Sequence, residues 1–160
     1  MPRDIPSELR ISSIKEILGD SYTRQLAFSF PEVMPPVFPC GNRILVQLRT
    51  PGSFRTMANG VKLYFPDESV DGEKFRTTTA LVRALGPVAF HNRSTMALWP
   101  EGAWATPGTF IRVPLYGGDR MEVPHKVDGT ERNGIFVILN DTDVIGVITA
   151  DDPASVKTLL

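Results

Sequence analysis

Cysteine is almost missing from this chain: Cys40 stands alone among 160 residues. No internal disulfide can form, and one sulfur cannot build a thiolate metal site. Histidine is nearly as scarce, with only His91 and His125. Both sit in polar context that reads as surface loop, and neither falls in a ligand spacing such as His-Glu-x-x-His. An excess of one charge is lacking too. The 17 Lys and Arg against 18 Asp and Glu leave a formal net charge of −1, which removes the basic surface that nucleic acid or an anionic membrane requires. No apolar run approaches the length of a membrane span. The opening MPRDIPSELR lacks the basic-then-apolar layout of a secretion signal. The cytoplasm is therefore the expected location, or a host cell's interior for a viral protein.

A convergent set of catalytic groups is the next absence. YGGD and DGEK lack the Gly-x-x-x-x-Gly-Lys-Ser/Thr layout that wraps backbone donors round phosphate. Cys40, between prolines and a strand, reads as a small buried apolar residue with no base to activate it. Asp141 with Asp143, and Asp151 with Asp152, are read as carboxylates bonded to nearby backbone rather than as cation ligands. The expectation is a protein that is no enzyme and uses no cofactor or metal.

What is present is a β pattern with ordinary bulk: 42% hydrophobic and 22% charged residues, enough for one domain with a real core. Residues 1–39 read as an arm, with a short helix from Ser7 to Gly19 and then the proline-rich, apolar FSFPEVMPPVFPC. Such a segment is expected to lie along a surface of its own domain or of a neighbour. Residues 40–152 read as the domain, and 153–160 as a tail. NRILVQLRT alternates Ile44 and Val46 with less apolar neighbours, as a strand does. TTALVRALGP, TFIRVPL and a short DRMEV follow as further strands, and GIFVILNDTDVIGVIT as two more around a turn at 140–143. Short strands without intervening helices point to a small β-barrel. The stretch 51–77 is a long polar loop with one apolar island, GVKLYFP, which is either one more strand or a recognition segment. Trp99 and Trp104 fall in an irregular, exposed-looking excursion.

Taken in order, GNRILVQ, NGVKLYFP, TTTALVRALGP, TPGTFIRVPLYGGDRMEV and GIFVILNDTDVIGVI resemble the GroES-type co-chaperonins. The Tyr116-Gly117-Gly118 turn is the most specific of these features. The resemblance implies an irregular GroES-like β-barrel that forms a homo-oligomeric ring by pairing edge strands, and that caps a GroEL-type chaperonin through a mobile loop. It places the partner-binding triplet at Val61, Lys62 and Leu63. A lysine is costly in an apolar groove, which moves the expected anchors to Leu63, Tyr64 and Phe65. At the turn, glycines would let the strand bend and Tyr116 would pack over the backbone. The arm of about forty residues and the two tryptophans depart from the family, much as in divergent phage-encoded members. They leave a second reading open: a capsid decoration or cement protein whose arm binds neighbouring major capsid subunits in the virion.

Overall fold

The computed structural model describes residues 29–50, 54–56, 62–64, 78–127, 130–151, 153 and 156. The strands are β1 (Arg43–Leu48), β2 (Phe54–Thr56), β3 (Lys62–Tyr64), β4 (Thr79–Leu85), β5 (Phe110–Arg112), β6 (Asp119–Val127), β7 (Thr130–Asn140) and β8 (Gly146–Val147), with one 3₁₀ turn at Asp141–Asp143. The described chain is thus all-β, as its apolar patterning predicts. Six strands form one antiparallel sheet in the order β6-β7-β1-β4-β5-β8. The expected helix over residues 7–19, most of the loop 51–77 and most of the tail lie outside the described residues.

β1 sits at the centre, paired with β7 on one side and β4 on the other. Its residues from Ile44 to Leu48 are all buried, including Gln47. Both faces of β1 are therefore covered. Ile44, Val46 and Leu48 join Ala80, Val82, Ile111, Ile135, Val137 and Leu139 in the main core, while Leu81 and Phe110 point into a second one on the opposite face. A bulge between Leu45 and Val46 shifts the register against β4, and such bulges increase local twist and bend.

The two ends of the sheet explain its shape. The chain leaves β7 at Asn140 and enters β8 at Gly146, four strand positions away. At ~4.8 Å per strand a flat sheet would separate them by roughly 19 Å. Six residues, half of them in a 3₁₀ turn rising ~2 Å each, reach only about 16 Å. The sheet therefore curls. It does not close: among the described residues β6 and β8 remain its two edges, so the expected barrel is an open, curled sheet.

Residues 86–108 fill the hollow. Phe90 is fully buried and stacks edge-on against Trp99 at 5.5 Å, and Trp99 lies 4.9 Å from Trp104. Both tryptophans are half-buried against the main core, which corrects the expectation that they are exposed. An irregular, turn-rich segment can thus pack inward, since Trp99 and Trp104 both lie against the main core. Asp141, only 2% exposed, locks this segment in place. Its Oδ2 accepts from the Phe90 amide at 2.9 Å, and its Oδ1 accepts from the Thr142 amide at 2.8 Å and from Asn42 Nδ2 at 3.3 Å. Asp143 accepts from the Asn140 amide at 3.0 Å. Both carboxylates thus bond to backbone, as read from the sequence.

The opposite face of the sheet is strapped by the proline-rich segment. The Thr50 amide donates to the Ser29 carbonyl at 2.7 Å, and Phe30, 3% exposed, meets Phe110 edge-on at 5.1 Å. Beyond Pro31 the strap carries Met34, Val37 and Phe38 with large exposed surfaces.

Candidate docking surface

The apolar island divides as follows. Lys62, Leu63 and Tyr64 form β3, in register with Thr56, Arg55 and Phe54 of β2. Val61 and Phe65 lie outside the described residues. β3 pairs with no strand of the six-stranded sheet, so the island is not one more strand of the main fold. It belongs to a ribbon inserted between β1 and β4 in the chain.

The Tyr116-Gly117-Gly118 turn leads into β6. Gly118 has φ +77, and a Cβ there would sit 2.5 Å from the Ile138 carbonyl and 2.6 Å from Val137 Cγ1. Only glycine lets β6 approach β7 closely enough to start the ladder at Asp119 and Ile138. Gly117 is under no such constraint, since its nearest would-be neighbour lies at 3.4 Å. Tyr116, the residue expected to pack over this backbone, opens the turn. It is 61% exposed and held at φ 61, a left-handed conformation that costs a bulky residue about 1 kcal/mol. A strained, outward tyrosine on a turn is a feature of a contact surface more than of a core. Beside the turn opens a groove of about 430 Å³, lined among others by Arg43, Asp119, Asn140 and Asp143.

β6 runs on to Val127, further than the DRMEV stretch suggested, and its ladder with β7 continues to Val127 and Thr130. Asp128-Gly129, the two letters between, are a strong hairpin signal that the sequence reading passed over. His125 therefore belongs to a strand, opposite Arg132, and not to a loop. His91 is half-buried, with Nδ1 2.7 Å from the Ala89 carbonyl. Cys40 is exposed, contrary to the buried reading, because it ends the strap just before the turn into β1.

Sequence reasoning also missed a polar cluster under the strap. Gln47 Nε2 donates to the Pro31 carbonyl at 2.8 Å. Arg83 donates through Nε to Gln47 Oε1 at 2.8 Å, and through Nη2 to the same Pro31 carbonyl at 3.4 Å. Burial pulls the Arg83 guanidinium below its ordinary value, and the carboxylate of Glu32 partly offsets this. Nothing local flags Gln47 as buried, since its partners lie 16 and 36 residues away.

Among the described residues no three His, Cys, Asp or Glu side chains gather as a metal site would require. No helix there is long and apolar enough to cross a membrane. No protein-family model matches the chain, and no curated protein matches it in sequence.

Proposed function

We propose that this chain is a docking and assembly protein of the co-chaperonin type. It caps a GroEL-type chaperonin ring and assists folding, while the ATP chemistry belongs to the partner. The observation that carries this reading is the separateness of the β2–β3 ribbon. Among the described residues Lys62–Tyr64 has ladder partners only in Phe54–Thr56, so the segment around Leu63 serves as a handle without dismantling the main sheet. The all-β architecture supports the reading as well. The family-like stretches fall on β1, β4, β5, β6 and β7 in order, and the curled sheet is taken as the open form of a GroES-like barrel. Its edges β6 and β8, unpaired among the described residues, would pair with neighbouring subunits, which also protects them. Several handles on one ring would bind by avidity even at modest affinity each. In a test, the protein is mixed with a GroEL-type chaperonin and ATP and sized. Wild type should co-migrate, and the Leu63→Asp, Phe65→Asp double variant should not. Failure of wild type to bind, or equal binding by the variant, removes the reading.

One observation favours a virion component instead. The strap exposes Met34 to 84% and Phe38 to 68%, an apolar ridge of the kind that lies across a neighbouring capsid subunit. On that reading, Met34→Ser with Phe38→Ser abolishes incorporation into the shell. Unchanged incorporation argues against it.

A further inference from the structure

β7 lies between β1 and β6, so its backbone groups face its two neighbours alternately. The Asp141 amide donates to the Asn42 carbonyl, which turns the odd-numbered residues of this strand toward β1. The Asn133 carbonyl agrees, since it accepts from Thr50 Oγ1 just beyond β1. The even-numbered residues therefore face β6, and the ladder sets Ile138, Phe136 and Gly134 opposite Asp119, Met121 and Val123. The backbone of Arg120, Glu122, Pro124 and Lys126 is left pointing to the outer edge of β6. That is the one side on which Pro124 fits, because it has no amide proton to give β7.

Among the described residues no strand pairs with this edge. Glu122, Pro124 and Lys126 are exposed, and Met121 and Val123 are half-buried. A strand added here meets amide donors at Arg120, Glu122 and Lys126 and a gap at Pro124. Charge and this gap together select among the antiparallel registers that β6 can make with a second copy of itself. Centred on Arg120, Glu122 or Lys126, the strand sets that charge against its own kind. Centred on Val123, it sets Arg120 against the partner's Lys126 and Glu122 against a proline that cannot donate. Centred on Pro124, it sets two prolines face to face with no donor between them. Centred on Met121, it sets Arg120 against the partner's Glu122, and Glu122 against the partner's Arg120. Each of those pairs exchanges both backbone bonds, and the charges are unlike. Pro124 then meets the partner's Gly118, which has no side chain to obstruct the ring.

We propose that Asp119–Val123 of β6 is a self-complementary strand interface, and that its occupant is β6 of a second copy of this chain, running antiparallel about Met121. Pro124 and Lys126 end the interface and guard the remainder of the edge against open-ended pairing. Pairing of β6 with one neighbour leaves β8 for another. The proposal rests on the register of β6 and not on the chaperonin reading, and its test contains no chaperonin.

The full chain is sized by sedimentation velocity over a concentration series, and wild type should pass from monomer to dimer. Glu122→Pro removes an outward amide while leaving the β6–β7 ladder intact, as Pro124 already does, and should weaken the dimer at least about tenfold. Register is read by cysteine cross-linking in a Cys40→Ser background, since Cys40 is exposed. Met121 faces the partner's Met121 at about 4.5 Å between Cα atoms, within the span of a disulfide. Val123 faces the partner's Asp119 and lies about 14 Å from the partner's Val123. On mild oxidation Met121→Cys should link into dimers and Val123→Cys should not, whereas Asp119→Cys combined with Val123→Cys should link. A wild-type chain that stays monomeric throughout, a dimer indifferent to Glu122→Pro, or Val123→Cys linking as readily as Met121→Cys overturns the proposal. Should Glu122→Pro fail to fold, the cysteine variants decide: linkage through Met121→Cys and not through Val123→Cys supports the interface, and any other pattern overturns it.

Discussion

Asp141 offers the sharpest stability test, because all three groups bonded to its carboxylate are donors: the amides of Phe90 and Thr142, and Nδ2 of Asn42. Replacement by alanine strands the Phe90 amide, which lies in the core. An orphaned buried donor costs about 1–3 kcal/mol, and each lost bond to a charged acceptor a comparable amount. Some of the freed donors will find water, so the loss should be roughly 3–5 kcal/mol out of a total near 5–15. Asparagine is the informative change. It keeps the volume but turns one oxygen into a donor, which must face either the Phe90 amide or the other two donors. Its loss should be about 2–3 kcal/mol, far from the neutrality expected of an isosteric swap. Urea unfolding followed by tryptophan fluorescence reads this directly, since Trp99 packs on Phe90. With a slope near ~2 kcal/mol/M, the midpoint should fall by about 1–1.5 M for Asp141→Asn at unchanged slope. A midpoint within about 0.2 M of wild type would refute the reasoning.

Four further substitutions are expected to behave distinctively. Gly118→Ala should destabilise by about 2–4 kcal/mol, through the left-handed φ and the clash with the Ile138 carbonyl, while Gly117→Ala stays within about 0.5–1, both measured by urea unfolding. Tyr116→Asn should raise the midpoint by about 0.5 kcal/mol equivalent, because Asn tolerates positive φ and the ring is largely exposed; a loss above about 1 would mean the ring is packed. Gln47→Leu should cost about 2–3 kcal/mol in the same assay, because Arg83 Nε loses its acceptor and the Pro31 carbonyl keeps only its longer contact.

Much of the sheet was legible because period-two patterning survives burial. Ile44 and Val46, and the TALVRAL and FIR runs, became β1, β4 and β5. Legibility failed where a residue's role is fixed by something distant in sequence. Gln47 looks like an outward polar residue until a carbonyl from the strap covers it. Asp141 looks like a turn former, and its Oδ1 does bond the next residue, yet its Oδ2 pins an amide 51 residues earlier. Strand order was equally hidden: β7 and β8 flank one turn but lie four positions apart, because β8 pairs with β5. The Asp-Gly between β6 and β7, by contrast, was readable and was overlooked. For the apolar island, the structure adds that β3 pairs outside the main sheet.

The central claim, that the segment around Leu63 is the handle offered to a chaperonin, is tested most directly by hydrogen–deuterium exchange with and without chaperonin and ATP. Strong protection of residues 60–66 on mixing, with the six-stranded sheet unchanged, is the predicted result. Exchange at those residues that stays the same while the partner is demonstrably bound would contradict it.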